Sequence, residues 1–173
     1  KQAAIQALND GKTKYTAAAG LPQLKTAVAE KIQSDHGLTY SPKQIVISCG
    51  AKHTIFNLLQ AILNPGDEVI IPTPYWVSYP DQVTILGGRS VFVPTTDATQ
   101  FKLSAAQLES AITPKTKVVI LNTPSNPTGM VYTEAELREL AAVIVKHQLL
   151  VISDEIYSKL VYDGQHTSIA SLG

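Results

Sequence analysis

The stretch Leu149-Leu150-Val151-Ile152-Ser153-Asp154-Glu155-Ile156-Tyr157 indicates the fold class. Residues 149–153 are mostly apolar and partly β-branched and follow a helical segment, which predicts a buried strand of a parallel sheet. The strand ends at Asp154, and Tyr157 follows shortly after. Because parallel α/β sheets bind ligands at the carboxyl ends of their strands, both side chains are candidates for a binding site. The alternative is that Asp154 and Glu155 only cap a turn.

Upstream of this stretch, short apolar runs predict four more strands, and segments with helical periodicity separate them. Capping boxes at Ser104 and Thr133, with Gln107 and Glu136 three residues later, mark two of the helix starts. Parallel neighbours need such helical connections, so the alternation predicts an open α/β sheet whose loops gather at one edge. The predicted strands are residues 45–48, 68–71, 90–93 and 117–121.

Composition limits the classes of function. Hydrophobic residues make up 45% and charged residues 16% of the 173 residues, which is typical of a globular domain with a substantial core. The 14 basic and 14 acidic side chains balance, and no apolar run is long enough to cross a bilayer. We therefore expect neither nucleic acid nor a membrane as a partner. The single cysteine, Cys49, fits a reducing compartment, so we expect a cytoplasmic protein. Because Lys1 lies inside a helical pattern, we expect a piece of a longer protein.

Three further strand ends carry candidate ligand-binding groups. Gly50-Ala51-Lys52 begins a helix, whose free N–H groups and dipole favour a phosphate; the alternative is a tight turn with a solvated lysine. Trp76 can stack on a planar ring, or can be a core residue. Asn126 stands between prolines in a rigid loop, which either presents its amide or is only a structural turn.

Taken together, these groups suit a flat, cationic, phosphorylated aromatic ligand. Its phosphate would lie on Gly50-Ala51-Lys52 and its ring against Trp76. No lysine or arginine accompanies Asp154 in a motif, so the cation facing this carboxylate would be a ring nitrogen. Asn126 and Tyr157 would bond a ring oxygen. Pyridoxal 5'-phosphate has all of these features.

Five motifs extend this match over essentially the whole chain. The sequence resembles the class I aminotransferases, which are fold-type I pyridoxal-phosphate enzymes, and within them the bacterial aspartate aminotransferase subgroup. The resemblance implies a mainly parallel sheet with helices on both faces, in three α/β/α layers. It also implies that residues 1–173 are an incomplete large, cofactor-binding domain. The motifs are Tyr15-Thr16-Ala17-Ala18-Ala19-Gly20-Leu21-Pro22, Gly50-Ala51-Lys52, Tyr75-Trp76-Val77-Ser78-Tyr79, Ser125-Asn126-Pro127-Thr128-Gly129 and Ser153-Asp154-Glu155-Ile156-Tyr157.

The resemblance implies a role for each site residue. Asp154 would keep the pyridine nitrogen protonated, and Asn126 and Tyr157 would bond the phenolic oxygen. Trp76 would stack on the ring and, with Asn126, help to hold the substrate's α-carboxylate. Tyr15 would reach the phosphate of the partner subunit's cofactor, which implies a homodimer. The implied cofactor-binding residues are Ala51, Lys52, Trp76, Asn126, Asp154, Tyr157 and, across the dimer, Tyr15.

Departures from the family concern the catalytic groups. None of the twelve lysines matches the one that forms the Schiff base, because Lys52 belongs to the phosphate loop and Lys159 follows Tyr157 too closely. Neither Arg89 nor Arg138 fits the arginine that binds the substrate carboxylate. We therefore assign no catalytic residue and no metal site in this chain, and expect weak or absent cofactor binding and no activity from it alone. The substrates of the whole protein would be an amino acid, aspartate in the first instance, and a 2-oxo acid.

Three alternatives remain open at this point. The protein can be another fold-type I enzyme, such as an aromatic aminotransferase or a C–S lyase. It can also be the aminotransferase-like sensor domain of a transcription regulator, which a DNA-binding segment before Lys1 would reveal. The third alternative is a plain α/β domain without a ligand. Such a domain would not explain why all five motifs occur together.

The resemblance also implies a gap in the sheet. In the family's order of seven strands, the last two of the sequence insert between the first strand, residues 45–48, and the fourth, residues 117–121. Those two strands have no counterpart here, so we expect about 10 Å of unpaired edge, at roughly 4.8 Å per strand. Since unpaired edges favour association, we expect the chain to reclose its sheet or to pair with another copy.

Overall fold

A computed structural model describes all residues, 1–173, as two compact units, Lys1–Ser48 and Cys49–Gly173. The first unit contains helices α1 (Gln2–Asn9) and α2 (Pro22–His36) and a short 3-10 helix, Pro42–Gln44. Helix α2 starts at a proline, whose missing N–H costs nothing in the first turn, and ends at a left-handed glycine.

The second unit alternates strands and helices. Its helices are α3 (Ala51–Ile62), α4 (Ser78–Ile85), α5 (Ala105–Ala111) and α6 (Glu134–Lys146). Its strands are β1 (Glu68–Thr73), β2 (Arg89–Pro94), β3 (Thr116–Asn122) and β4 (Leu150–Asp154). Both predicted capping boxes form, at the starts of α5 and α6. None of the helices in the chain combines the length and the apolarity that crossing a lipid bilayer requires.

All four strands are parallel, in the order β2-β1-β3-β4. Side chains alternate between the two faces of the sheet, and each face has its own apolar core. Ile70 and Val119 face the helices α5 and α6, and pack in one core with Leu140 of α6. Val69 and Val118 face the opposite side, where α3 and α4 pack. The predicted α/β class, with a parallel sheet and helices on both faces, is therefore confirmed.

The prediction of a first strand at residues 45–48 is wrong. This segment pairs with no strand, and its backbone bond beyond the preceding turn is from the Ile47 N–H to the Ala19 carbonyl oxygen, at 3.1 Å. Gly20 allows this close approach, since a Cβ there would lie 2.6 Å from the Cβ of Ile47. A strand needs a neighbouring backbone as partner, and β-branched composition alone does not supply one.

The predicted place of the gap in the sheet is also wrong. Strand β3 pairs with β1 on one side and with β4 on the other, so no strand can insert beside it. The unpaired edges of the sheet are those of its outer strands, β2 and β4, and Leu150 on β4 is 46% exposed. Residues 45–48 do not reclose the sheet, and pairing of the chain with another copy stays a prediction.

The strand order creates the site. From β1 the chain passes through α4 to β2 on one side, and β3 lies on the other side of β1. Such a reversal of strand order opens a crevice at the carboxyl ends of the strands, which is where ligands of open α/β sheets bind.

Candidate cofactor-binding site

A cavity of about 310 Å³ lies at the carboxyl ends of the strands within the second unit. Its volume falls in the range of small-molecule sites, roughly 300–1,000 Å³. The structure brings six of the seven predicted cofactor-binding residues to this cavity, and the seventh, Tyr15, is a fully exposed residue of the first unit. The lining residues are Gly50, Ala51, Lys52, Trp76, Tyr79, Asn122, Asn126, Asp154, Ile156 and Tyr157.

One end of the cavity is suited to an anion. Helix α3 begins there after Gly50, which has φ of +88° and provides no side chain to cap the helix. The first-turn N–H groups, those of Ala51 and Lys52, have no partner within the helix, and the helix dipole adds a partial positive charge. The Lys52 ammonium adds a full one at the same end.

The indole of Trp76 forms one wall. Its ring meets the ring of Tyr79 edge-on, with centroids 5.3 Å apart and planes at 81°, and the Lys52 Nζ lies 5.1 Å from its centroid. The side chain is half-buried and lines the cavity. A fully buried core role for this tryptophan is therefore excluded.

The opposite end carries a carboxylate. Asp154 Oδ2 accepts a hydrogen bond of 2.6 Å from the Tyr79 hydroxyl, and Oδ1 accepts a long one of 3.3 Å from the Ile156 N–H. No lysine, arginine or histidine pairs with this carboxylate anywhere in the chain. Asp154 thus supports the turn that follows β4 and also presents a negative charge to the cavity.

Glu155 has a different role from its neighbour. Its Oε1 accepts hydrogen bonds of 2.7 Å from the Ser153 and Ser168 hydroxyls, and its Oε2 lies 2.8 Å from His166 Nε2. It does not line the cavity. The predicted capping of a turn is therefore seen at Asp154, through the Ile156 N–H, while Glu155 bonds side chains outside the cavity.

Tyr79 is a permanent donor to Asp154. Burial, and then the hydrogen bond to the carboxylate, raise the pKa of Tyr79 far above its ordinary value of 10.0. The phenol therefore keeps its proton at neutral pH, and it holds one oxygen of Asp154 in place.

Asn122 joins two of the site's loops. Its Nδ2 donates to the backbone carbonyl of Asp154 at 2.9 Å, and its Oδ1 accepts from the N–H of Asn126 at 2.7 Å. Asn126 and Tyr157 line the same cavity, as predicted from their places after β3 and β4. Asn122 therefore fixes the loop that presents Asn126 to the end of strand β4.

Sequence reasoning missed Tyr79 and Asn122 as site residues. The signal for Tyr79 was its place in the same motif as Trp76, three residues later along the chain. The signal for Asn122 was its position as the last residue of a strand whose neighbour ends in Asp154.

Comparison with known proteins identifies the family. The sequence model described as "Aminotransferase class I and II" matches residues 1–172. The chain belongs to this family. An aspartate aminotransferase of Bacillus subtilis (strain 168) is 52% identical over 171 residues, which are 98% of this chain and 44% of that protein. The aminotransferase chain therefore spans less than half the length of the curated relatives that it matches.

Solved aminotransferase structures share the fold closely. The aspartate aminotransferase of Thermus thermophilus, solved with maleate, superposes with a TM-score of 0.94 at 46% identity and covers 99% of this chain and 45% of its own. An aromatic aminotransferase of Pyrococcus horikoshii OT3 gives the same TM-score at 42% identity, with 99% and 47% covered. The fold is thus that of the family's members, and it is shared by relatives with different substrate names.

Proposed function

We propose that the whole protein is a pyridoxal-phosphate-dependent aminotransferase, and that residues 1–173 are part of its large, cofactor-binding domain. The observation that carries this proposal is the polarity of one cavity, which has an anion-binding helix start at one end, a carboxylate without a protein cation at the other, and an indole between them. A ligand with a phosphate, a protonated ring nitrogen and a planar ring matches all three features.

The groups that line the cavity match the chemical groups of the cofactor. The glycine cap leaves the amides of Ala51 and Lys52 available for the phosphate. Trp76 would stack on the ring, and Asp154 would pair with the ring nitrogen. Pyridoxal phosphate, when bound, supplies an electron sink for chemistry at the amino acid's α-carbon, and a carboxylate partner for the ring nitrogen strengthens it.

Residues of this chain would act by binding and orienting. The Tyr79 hydroxyl fixes one oxygen of Asp154, so the carboxylate faces the cavity in one orientation. Asn126 and Tyr157 would contact the ring's phenolic oxygen, and Asn126 and Trp76 would also help to hold the substrate's carboxylate.

The chain alone is proposed to lack the catalytic lysine. The lysine that lines the cavity, Lys52, lies over the Trp76 ring at the anion-binding end and is therefore assigned to the anion and not to covalent chemistry. Cofactor binding by this chain would be weak, and turnover would need groups from the rest of the protein.

For the substrates we propose aspartate and a 2-oxo acid. The support is the name of the 52% identical Bacillus subtilis relative and the maleate, a dicarboxylate, of the Thermus structure. An aromatic amino acid is the second candidate, since the Pyrococcus horikoshii aromatic aminotransferase superposes equally well. A homodimer in the cytoplasm is part of the same proposal, with the fully exposed Tyr15 reaching the partner's cofactor. The balanced charge of the chain makes nucleic acid a poor partner.

Amino transfer by the whole protein, loaded with pyridoxal phosphate, tests the proposal. We expect transfer from aspartate to 2-oxoglutarate at a higher kcat/KM than from phenylalanine, and no transfer by the 173-residue chain. A preference for phenylalanine would favour the second candidate. The absence of transfer from either amino acid, or turnover by the chain alone, would contradict the proposal.

A further inference from the structure

Gln82 is a buried polar residue that does not line the cavity, so contact with a ligand there does not explain it. It lies in the middle of α4 and is only 6% exposed. Its Nε2 donates a hydrogen bond of 2.9 Å to the backbone carbonyl oxygen of Lys52, in the first turn of α3. Its Oε1 is buried as well and has no hydrogen-bond partner among the atoms of the protein.

A buried glutamine at this position lowers the stability of the fold. Two neighbours of Gln82 in α4, Tyr79 and Val83, are fully buried in the apolar core. An unpaired buried amide oxygen destabilises the fold, and a leucine or methionine of similar volume would avoid that cost. What the glutamine provides, and an apolar residue could not, is the hydrogen bond that it donates to the Lys52 carbonyl oxygen.

The hydrogen bond from Gln82 reaches the start of α3, where no side chain caps the first-turn N–H groups. Gly50 provides no side chain to bond the first-turn N–H groups of α3, which leaves the amides of Ala51 and Lys52 available to an anion. The other side-chain bonds at this turn, from the Cys49 N–H to His53 Nδ1 and from the Thr54 hydroxyl to the Gly50 carbonyl oxygen, do not occupy these amides either. Gln82 holds this turn from the side, through the carbonyl of Lys52, without occupying any of the N–H groups.

Helix α4 and the turn before it link three parts of the site. Trp76 forms the wall, Tyr79 bonds the carboxylate of Asp154, and Gln82 bonds the backbone of Lys52. Tyr79 and Gln82 are three residues apart in α4 and so lie on neighbouring parts of its surface, and Trp76 lies just before the helix, with its ring against that of Tyr79. Because side chains of one helix bond to Asp154 and to the backbone of Lys52, the helix helps to set the distance between these two ends of the cavity.

We propose that Gln82 is a positioning residue for anion binding, which holds the Ala51 and Lys52 amides at a fixed place relative to the Trp76 indole. This inference rests on the proposed function, in which that end of the cavity takes the phosphate of the cofactor. It adds a residue that touches neither the cofactor nor the cavity.

The test compares phosphorylated and unphosphorylated ligands in the 173-residue chain. Pyridoxamine 5'-phosphate and pyridoxamine are suitable probes because neither carries an aldehyde that would react with surface lysines. Binding is followed by the fluorescence of Trp76, the only tryptophan of the chain. The variants are Gln82→Leu and Gln82→Met, both without the donor. The control is Ser90→Ala on β2, which removes a second buried, unpartnered oxygen away from the cavity.

We expect the native chain and Ser90→Ala to bind the phosphorylated ligand more tightly than the unphosphorylated one. In both Gln82 variants the affinity for pyridoxamine 5'-phosphate should fall by about fivefold, the value of one hydrogen bond, while that for pyridoxamine changes by less than about twofold.

Other outcomes overturn the inference in distinguishable ways. An unchanged preference for the phosphorylated ligand in both variants would refute the role of Gln82 and leave the proposed function intact. If both variants lost affinity for the two ligands equally, Gln82 would have a role in the fold alone. Loss of the circular dichroism signal of the folded chain in both variants would lead to the same conclusion. Equal affinities of the native chain for the two ligands would contradict the proposed anion-binding end of the cavity, and the inference with it.

Discussion

The hydroxyl of Tyr79 donates a hydrogen bond of 2.6 Å to Oδ2 of Asp154, across 75 positions of the chain. It joins the helix that follows β1 to the carboxyl end of β4, so it crosses the mouth of the crevice that the strand order opens. The carboxylate has no cationic partner in the protein, and the phenol is its nearest donor. This bond therefore fixes the negative end of the cavity.

Replacing Tyr79 by Phe should lower the free energy of unfolding by about 2 kcal/mol, because hydrogen bonds to charged groups are worth roughly 1.5–3 kcal/mol. Urea denaturation of the native and variant chains measures the difference. The matched control is Tyr75→Phe, since Tyr75 stacks on Phe92 through its ring and its hydroxyl makes no hydrogen bond. Equal stability of the Tyr79 and Tyr75 variants would show that the bond contributes nothing.

Alkaline stability should depend on Tyr132. Burial raises the pKa of Tyr132 from 10.0 to about 12, although the hydrogen bond from the Leu103 N–H acts in the opposite direction. A raised pKa gives stability that is fully present below pH 10 and is lost as the pH rises towards 12. Tyr132→Phe should be less stable at pH 7, because the buried Leu103 N–H loses its acceptor, but should lose less stability between pH 10 and 12. Tyr162→Phe, at a side chain that is 92% exposed, serves as the control and should follow the native profile.

Acid stability should depend on Glu136. Burial alone would raise the pKa of Glu136, but the Thr133 N–H and the Lys102 ammonium outweigh it and hold the pKa below 4.5. A lowered pKa gives stability that is present above pH 4.5 and is lost as the pH falls below it. Glu136→Gln leaves the nearly buried Lys102 unpaired and should cost about 2 kcal/mol at pH 7, a difference that shrinks below pH 4. Glu139→Gln on the exposed side of the same helix is the control. A difference that stays constant from pH 7 to pH 3 would contradict the assignment.

Asn122 should be needed for the loop that carries Asn126. Asn122→Leu leaves the Asn126 N–H and the Asp154 carbonyl without partners and should lower the free energy of unfolding by about 2 kcal/mol. Asn57→Leu, at an exposed position of α3, should change it by less than about 0.5 kcal/mol. Thermal and urea denaturation both measure this, and equal effects of the two substitutions would refute the role of Asn122.

The sequence predicts local features of this site and misses the contacts between distant residues. Asp154 and Asn126 were located correctly at strand ends because strand runs, turns and capping boxes are signals within a few residues. The bond between Tyr79 and Asp154 joins residues 75 positions apart, and no local pattern encodes it. Residues 45–48 have the composition of a strand, yet a strand forms only beside a partner backbone, and that depends on the whole sheet.

The central claim is that one cavity binds a phosphorylated pyridine between the start of α3 and Asp154. Titration of the chain with pyridoxamine 5'-phosphate, followed by quenching of the Trp76 fluorescence, tests this most directly. We predict saturable quenching, and an affinity that falls by about tenfold or more in Asp154→Ala but is unchanged in Asp163→Asn, at an exposed acidic residue. The absence of saturable quenching, or equal affinities of the native and Asp154→Ala chains, would contradict the account.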